Sequence, residues 1–184
     1  MMGKFVTVSK TSVISLIALT VLSLFCLAGC SLGVGTSAST PGPQVGMMAP
    51  DFEFKDAADK TVSLSDLQGK PIVLNFWATW CGPCKTEMPI IQKLADDGMV
   101  AGGGLILLTV NCGDSAETVN NFMQEYGYSF PVLLDTTKNI MRTYNVRYIP
   151  TTFFIGTDGI ISEIKMGAFT EESQLDRILN DLIP

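Results

Sequence analysis

Hydrophobic residues in this chain form two kinds of pattern, one typical of buried strands and the other typical of helices. Residues 71–77 and 105–110 are short runs of apolar, β-branched and aromatic residues, of the length that a buried strand prefers. Residues 85–97, 115–126 and 171–182 read as amphipathic helices, with apolar side chains at helical spacing. Strands and helices therefore alternate along the chain, which predicts an α/β fold.

Shorter patterns complete this fold at its two ends. Residues 51–54 and 61–64 alternate polar with apolar side chains, which predicts an N-terminal β-hairpin. Near the C-terminus, Asp158-Gly159 is a strong turn signal between predicted strands over 152–155 and 160–166. Together the elements predict a central mixed β-sheet flanked by helices, with an N-terminal β-hairpin extension.

The start of the chain has the pattern of an export signal. Two lysines make a short positive region, residues 11–27 are uncharged and mostly apolar, and small residues then precede Cys30. Leu27-Ala28-Gly29-Cys30 resembles a bacterial lipobox, which implies a signal peptide over 1–29 and a Cys30 that carries a diacylglyceryl group. An uncleaved signal anchor is the alternative, because about 20 apolar residues can span a bilayer.

The rest of the chain divides into a tether and a domain. Residues 30–46 begin with the lipidated cysteine and are rich in Ser, Gly, Thr and Pro, so we expect a flexible tether there. Residues 47–184 are expected to form one globular domain, large enough to bury a core without disulfide bonds. The formal net charge is −6, so the phosphate backbone of a nucleic acid is not an expected partner.

Trp80-Cys81-Gly82-Pro83-Cys84 lies where the first long strand is followed by a helix. Such a cysteine pair can close a small disulfide, and N–H groups at the helix start would stabilise a Cys81 thiolate. A c-type haem site would need a histidine after the pair, but Lys85 follows and the chain has no histidine. A zinc site would need four ligands, but the chain has only one such cysteine pair and no histidine that could complete the set. A purely structural disulfide is the remaining alternative, and so short a loop would stabilise only weakly. The pair predicts dithiol redox chemistry.

Residues 76–85 resemble the active site of thioredoxin-like proteins, and with the lipobox they resemble the extracytoplasmic TlpA/ResA-like thiol-disulfide oxidoreductases. The similarity covers roughly residues 45–184 and includes Glu87 and residues 148–153, which are similar to the family's cis-proline segment. It implies a thioredoxin-like fold and a redox disulfide between Cys81 and Cys84. It also implies a substrate surface beside the dithiol and in the cis-proline segment, formed by Trp80, Gly82, Pro83, Ile149, Pro150 and Thr151. Because X-Pro bonds adopt cis at modest cost, we expect the Ile149–Pro150 bond to be cis.

Two further positions leave alternatives open. Thioredoxin has a buried aspartate where this chain has Asn75, and an asparagine cannot ionise. Glu87 lies three residues after Cys84 on the same helix face, so the resemblance favours a catalytic role for it in proton transfer. The alternative is a solvated carboxylate near a helix N-terminus. Cys112 follows the second strand and faces either the active site or the core, and the core is favoured because free cysteines are usually buried.

These observations predict a membrane-tethered thiol-disulfide oxidoreductase that works outside the cytoplasm as a monomeric bacterial lipoprotein without a cofactor. The resemblance implies that it reduces disulfides of exported proteins, including apocytochrome c, and that a membrane thiol-disulfide donor supplies its electrons. A peroxiredoxin-like peroxidase is one alternative. A lipoprotein that binds Cu(I) through Cys81 and Cys84 is another, since soft thiolates select that ion.

Overall fold

The computed structural model describes residues 40–55 and 60–183. The predicted signal peptide, the lipidation site at Cys30 and the tether up to residue 39 lie outside these residues. Within the two described ranges, no helix has the length and hydrophobicity needed to cross a bilayer.

Five strands form the central sheet. Its spatial order is β5–β4–β3–β6–β7, with β3 in the middle, and its strands are β3 Ile72–Trp77, β4 Ile106–Asn111, β5 Val132–Leu134, β6 Thr151–Ile155 and β7 Ile161–Met166. Strand β3 runs parallel to β4 and antiparallel to β6, so the sheet is mixed. All six residues of β3 are buried, which is why this strand is apolar except for Asn75 and does not alternate with polar residues.

Helices cover both faces of the sheet. The helices are α1 Gly82–Asp96, α2 Gly98–Ala101, α3 Ala116–Tyr126, α4 Asn139–Thr143 and α5 Glu172–Leu182. Buried apolar residues of α1, α3 and α5 pack in one cluster with Val73 and Trp77 of β3. The neighbouring side chains Leu74 and Phe76 belong to the cluster on the other face, because successive residues of a strand point to opposite sides. The predicted α/β architecture is confirmed.

The N-terminal hairpin covers part of the second face. It pairs β1 Glu53–Lys55 with β2 Thr61–Ser63 in a separate antiparallel sheet, as the alternation predicted. The Phe52 ring packs edge-on against Tyr144, which follows α4, and the Tyr144 hydroxyl donates to the carbonyl of Pro50 at 2.8 Å. These contacts fix the hairpin against the sheet face opposite α1.

The segment just before the hairpin is attached to the domain. Backbone N–H groups of Gly46 and Ala49 donate to carbonyls of Ile161 and Gly159, at 2.8 and 2.9 Å, and Ile161 donates back to Met47. Gly46, the last residue of the predicted tether, and residues 47–49 therefore run along the start of β7. The Ser-, Gly-, Thr- and Pro-rich composition predicted a tether up to residue 46. It did not reveal this pairing, because the hydrogen bonds are made by backbone groups and do not depend on the side chains.

Candidate active site

The two cysteines of the Cys-x-x-Cys pair are joined by a disulfide at the N-terminus of α1. Cys81 is the residue that caps this helix, and its Sγ accepts a hydrogen bond from the backbone N–H of Cys84 at 3.2 Å. The first turn also contains Pro83, which fits there because the early N–H groups of a helix have no intrahelical partner. Helix α1 therefore starts at Gly82, three residues earlier than predicted, and directs its N–H groups at the sulfur of Cys81.

The cysteines differ in access to solvent. Cys81 retains 5% of its surface exposed, whereas Cys84, one turn inside the helix, retains none. An attacking substrate sulfur can therefore approach the pair only from the Cys81 side. Thiolate stabilisation by helix N–H groups also acts at this end of the helix.

The cis-proline segment lies directly against this disulfide. The Ile149–Pro150 peptide bond is cis, as predicted from the sequence, and the carbonyl oxygen of Ile149 lies 3.6 Å from Sγ of Cys81. Hydrogen bonds hold the segment on both sides: the Thr151 hydroxyl donates to the Tyr148 carbonyl and the Gly167 N–H donates to the Pro150 carbonyl, both at 2.8 Å. The backbone next to the reactive sulfur is thus fixed in place.

Large apolar side chains are exposed around this junction. Trp80, next to Cys81, is 67% exposed, and Tyr148, next to Ile149, is 76% exposed. Gly82 and Pro83 are also exposed, while Pro150 and Thr151 are buried beneath the surface. A pocket of about 320 Å³ opens beside Tyr148 and is also lined by Met166 and Pro43. The dithiol is therefore surrounded by surface that is suited to contact with another polypeptide.

Glu87 is fully buried below the disulfide. Its Oε1 accepts a hydrogen bond from Nδ2 of Asn75 at 2.9 Å, and its Oε2 accepts one from the backbone N–H of Phe169 at 3.0 Å. The alternative of a solvated surface carboxylate is therefore wrong. Burial raises the pKa of Glu87 to about 7, against the opposing effects of the two hydrogen bonds and of the charge on Lys165. A carboxyl group with a pKa near 7 can both accept and release a proton under physiological conditions.

Asn75 connects Glu87 to the neighbouring strand. Its Nδ2 also donates to Oγ1 of Thr152 at 2.9 Å, and these two residues face each other in the pairing of β3 with β6. Both side chains are fully buried, and Oδ1 of Asn75 has no hydrogen-bond partner among the described residues. The amide nitrogen of Asn75 is therefore hydrogen-bonded to the buried acid, while its amide oxygen has no partner among the described residues.

Asp114 is a residue of the site that the sequence analysis missed. Its Oδ2 accepts hydrogen bonds from the backbone N–H of Thr79 at 2.8 Å and from Nδ2 of Asn111 at 2.9 Å. It therefore fixes the loop that leads from β3 to Cys81. The available signal was Asn111 at the carboxyl end of β4, beside the end of β3, because side chains at that edge of a parallel pair converge.

Cys112 lies in the core on the face opposite the disulfide. Its side chain is 2% exposed, belongs to the same apolar cluster as Phe76 and Tyr144, and donates from Sγ to the carbonyl of Val110 at 3.6 Å. Burial, followed by the charge of Asp135, raises its pKa to about 12. Of the two alternatives, the core position is confirmed. In residues 40–55 and 60–183, no three Cys, Asp or Glu side chains are grouped as metal ligands.

Comparison with known proteins identifies the relatives of this chain. Residues 45–164 match the AhpC/TSA family. The thiol-disulfide oxidoreductase ResA of Bacillus subtilis is 38% identical over 150 residues, which is 82% of this chain and 83% of the relative.

Solved structures show the same relationship. A thiol:disulfide interchange protein of the thioredoxin family from Chlorobium tepidum superposes with a TM-score of 0.63 at 28% identity, over 79% of this chain and 99% of the other. The exposed lipoprotein thioredoxin of Streptococcus pneumoniae superposes with a TM-score of 0.61 at 32% identity, over 72% of this chain and all of the other (100%). The thioredoxin-like fold is confirmed. The chain belongs to the AhpC/TSA family and, within it, to the ResA-like thiol-disulfide oxidoreductases.

Proposed function

We propose that this ResA-like oxidoreductase reduces disulfides of exported proteins, with Cys81 as the nucleophile and Cys84 as the resolving cysteine. The observation that carries the proposal is the unequal position of the two sulfurs, since Cys81 caps the helix at the surface while Cys84 is sealed inside it. A thiolate at a helix N-terminus is stabilised, and only an accessible thiolate can reach the disulfide of another protein.

The reaction consists of two exchanges. The Cys81 thiolate attacks one sulfur of the substrate disulfide, forms a mixed disulfide and releases the other substrate sulfur as a thiolate. Cys84 then loses its proton and attacks the sulfur of Cys81, which releases the second substrate sulfur and leaves Cys81–Cys84 oxidised. Two electrons pass from the dithiol to the substrate, and a membrane thiol-disulfide donor restores the reduced dithiol.

We propose Glu87 as the group that accepts the proton of Cys84. Glu87 lies one helical turn after Cys84, both side chains have no exposed surface, and the raised pKa of Glu87 suits transfer in either direction. Asn75, which lies on the facing strand and cannot ionise, is not an alternative acceptor.

The substrate surface proposed is the exposed ring of residues around Cys81. An extended substrate segment would pair with the backbone of Ile149 and contact Trp80, Gly82 and Pro83 near the reacting sulfurs, while the buried Pro150 and Thr151 would support that backbone from beneath. The fixed carbonyl of Ile149, 3.6 Å from Cys81 Sγ, supports this arrangement, because a segment paired there brings its own cysteine against the nucleophile.

The proposed location is the outer face of the cell membrane, with diacylglyceryl-modified Cys30 as the anchor after removal of residues 1–29. The lipobox-like Leu27-Ala28-Gly29-Cys30 supports this location, as does the similarity to a thioredoxin that is described as an exposed lipoprotein. Residues 30–46 would then link the lipid to a single domain over 47–184. A Cys30→Ala variant that stayed firmly in the membrane fraction would favour an uncleaved signal anchor.

The experiment that tests this function is substrate trapping in cells. Cys84→Ser removes the resolving sulfur, so mixed disulfides with Cys81 should accumulate and should disappear on treatment with reductant. Cys81→Ser should trap few partners, because the remaining sulfur is buried. Captured apocytochromes would point to haem maturation, and a broad mixture to general reduction outside the cytoplasm. Equal trapping by both variants would overturn the assignment of the two cysteines.

Absence of trapping by either variant would contradict the proposed function. Peroxide-dependent oxidation of Cys81 in the same cells would then favour a peroxidase. Stoichiometric Cu(I) on the reduced wild-type chain would instead favour a metal-binding lipoprotein.

A further inference from the structure

The pocket of about 320 Å³ beside Tyr148 begins one residue away from the group that touches the reactive sulfur. Tyr148 and Thr151 both line it, and they flank the cis bond between Ile149 and Pro150. The Thr151 hydroxyl donates to the Tyr148 carbonyl at 2.8 Å, and the carbonyl oxygen of Ile149 lies 3.6 Å from Cys81 Sγ. Adjacent Cα atoms across a trans peptide are about 3.8 Å apart, so this pocket, the Tyr148 pocket, adjoins the disulfide.

The buried part of the Tyr148 pocket is built from aromatic rings that other contacts hold in place. Tyr144 and Phe153 line it, with ring centroids 4.9 Å apart and ring planes at 78°. The Tyr144 hydroxyl donates to the Pro50 carbonyl at 2.8 Å, and Val146 and Ile164 add aliphatic side chains to the lining. A preformed apolar pocket suits an apolar side chain, because binding requires little rearrangement. Its rings favour an aromatic occupant, since aromatic rings attract one another edge to face.

The rim of the pocket is open to solvent and is fixed to the cis-proline segment. Tyr148 and Met166, both large, are exposed there. Met166 pairs with Thr151 across β6 and β7, and the next residue, Gly167, donates from its N–H to the Pro150 carbonyl at 2.8 Å. Large exposed apolar side chains beside a pocket are typical of a surface that contacts another polypeptide.

Arg147 adds a positive charge to this surface. It lines the pocket and is exposed, and its Nε lies 3.5 Å from Oδ1 of Asn145, a neutral amide. Within residues 40–55 and 60–183, no carboxylate forms an ion pair with it. An arginine binds a carboxylate through two parallel hydrogen bonds, so an unpaired guanidinium beside the pocket favours a polypeptide segment that carries an acidic residue.

We infer that the Tyr148 pocket is a subsite for an aromatic side chain that the substrate polypeptide carries within about two residues of its reacting cysteine. A segment paired with the Ile149 backbone would place its cysteine against Cys81 and a neighbouring side chain in the pocket. Such extended segments gain affinity from main-chain hydrogen bonds and specificity from pockets for their side chains. An acidic residue beside the aromatic one would pair with Arg147. The inference rests on the proposed function and deepens it by naming the substrate class: proteins whose reducible cysteine has an aromatic and an acidic neighbour.

The test uses peptides with a single cysteine joined by a disulfide to a small coloured aromatic thiol. Cys81 of the reduced full chain, in detergent micelles, forms a mixed disulfide with the peptide and releases the coloured thiolate, which reports the rate constant. Phenylalanine would replace alanine in turn at each of the two positions on either side of the cysteine. Rate constants with dithiothreitol would correct for differences in peptide reactivity. We expect phenylalanine at one position to raise the rate constant about tenfold, and an aspartate beside it to add about threefold.

Substitutions at exposed positions locate the effect. Met166→Ala should reduce the preference for phenylalanine from about tenfold to about threefold or less, because it removes part of the rim. Met99→Ala, the same replacement at an exposed methionine of α2, should retain the preference. Arg147→Gln should abolish the gain from aspartate, whereas Arg177→Gln, at an exposed position of α5, should retain it. A preference for phenylalanine that is unchanged in Met166→Ala would overturn the assignment to this pocket.

The proposed function and the subsite fail in different ways. Reaction with every peptide at one common rate would overturn the subsite and leave the function intact. No reaction with any peptide, although dithiothreitol reacts, would contradict the function and, with it, the subsite. Self-association of the full chain that Met166→Ala abolishes would also overturn the inference, since a second copy of the chain would then occupy the pocket.

Discussion

Each face of the central sheet buries a cysteine, and the two cysteines have very different surroundings. Cys84, on the face covered by α1, is joined to Cys81 and lies one helical turn from the buried acid Glu87. Cys112, on the opposite face, lies among aromatic and aliphatic side chains and donates to a backbone carbonyl. Their exposures, 0% and 2%, are almost equal.

Burial alone therefore does not identify the reactive sulfur. The face of α1 brings helix N–H groups, a carboxyl group with a pKa near 7 and a surface-facing sulfur together at one point. The face of Cys112 brings only burial and the negative charge of Asp135, both of which raise the pKa of that thiol. The first set of contacts favours thiolate chemistry, and the second suppresses it.

The largest expected effect distinguishes Cys81 from Cys112. Cys81→Ser should lower the rate of protein-disulfide reduction by more than about a thousandfold, since it removes the proposed nucleophile. Cys112→Ala should leave this rate unchanged and should lower the free energy of unfolding by about 1 kcal/mol, from the lost packing of a small core side chain. Insulin reduction and urea unfolding measure the two effects. Loss of activity in Cys112→Ala without unfolding would show that the sheet face that buries Cys112 contributes to catalysis.

The next effect concerns the buried acid. The folded-state pKa of Glu87 is raised from 4.5 to about 7, so the folded protein binds the proton more tightly than the unfolded chain does. Its contribution to stability is complete below about pH 4.5 and is lost as the pH rises to about 7. Glutamine at position 87 does not titrate, so Glu87→Gln does not lose this contribution as the pH rises. The free energy of unfolding of the variant minus that of wild type should therefore increase by about 3 kcal/mol between pH 4 and pH 8.

Denaturant unfolding at both pH values tests this expectation. Glu125→Gln, the same substitution at an exposed position of α3, is the control and should show no such pH dependence. A constant difference between Glu87→Gln and wild type would mean that Glu87 does not titrate in this range. The pH profile of disulfide exchange should change in Glu87→Gln and should not change in the control.

A smaller effect is expected from a comparison of Asp114 and Asp135, which follow the carboxyl ends of β4 and β5. Asp114 holds the N–H of Thr79 before Cys81, whereas Asp135 accepts from the N–H groups of Asn139 and Met141 at the start of α4, at 2.7 and 2.8 Å. Replacement of either residue by alanine should destabilise the fold by about 2 kcal/mol, since each loses hydrogen bonds to a charged group. Only Asp114→Ala should also slow disulfide exchange. Equal exchange rates in the two variants would show that the loop before Cys81 does not need this support.

The smallest effect concerns the exposed surface. Tyr148→Ser should lower kcat/KM for a protein disulfide by about fivefold, equivalent to about 1 kcal/mol, because it removes apolar contact area beside Ile149. A small aromatic disulfide, which does not extend to this position, should be reduced at the wild-type rate. Tyr126→Ser changes another exposed tyrosine and serves as the control. An equal loss with both substrates would argue against a role in substrate contact.

The sequence predicted most of the architecture because long apolar patterns are strong signals. The runs around β3 and β4 and the helical repeats of α1, α3 and α5 are all present, with ends that differ by no more than three residues. Ser115 caps α3 as a Ser before a helix commonly does, and its side chain accepts from the N–H of Thr118. At α1 the start was misplaced because glycine and proline are usually helix breakers, yet both are tolerated in a first turn.

The site was less predictable because tertiary contacts define it. A glutamate near a helix start is usually solvated, and only the packing of Phe169 and β3 against it shows that Glu87 is buried. Asp114 was missed because its partner, the N–H of Thr79, is 35 residues away in the sequence. The pairing of residues 46–49 with the start of β7 was hidden for the same reason, since their partners follow residue 158.

Competitive alkylation of the reduced protein tests most directly whether Cys81 attacks and Cys84 resolves. A limiting amount of iodoacetamide at neutral pH, followed by peptide mass spectrometry, reports which sulfur reacts first. We expect Cys81 to be labelled at least about tenfold faster than Cys84, because its thiolate is stabilised at the helix end and can be reached from solvent. Faster or equal labelling of Cys84 would contradict it.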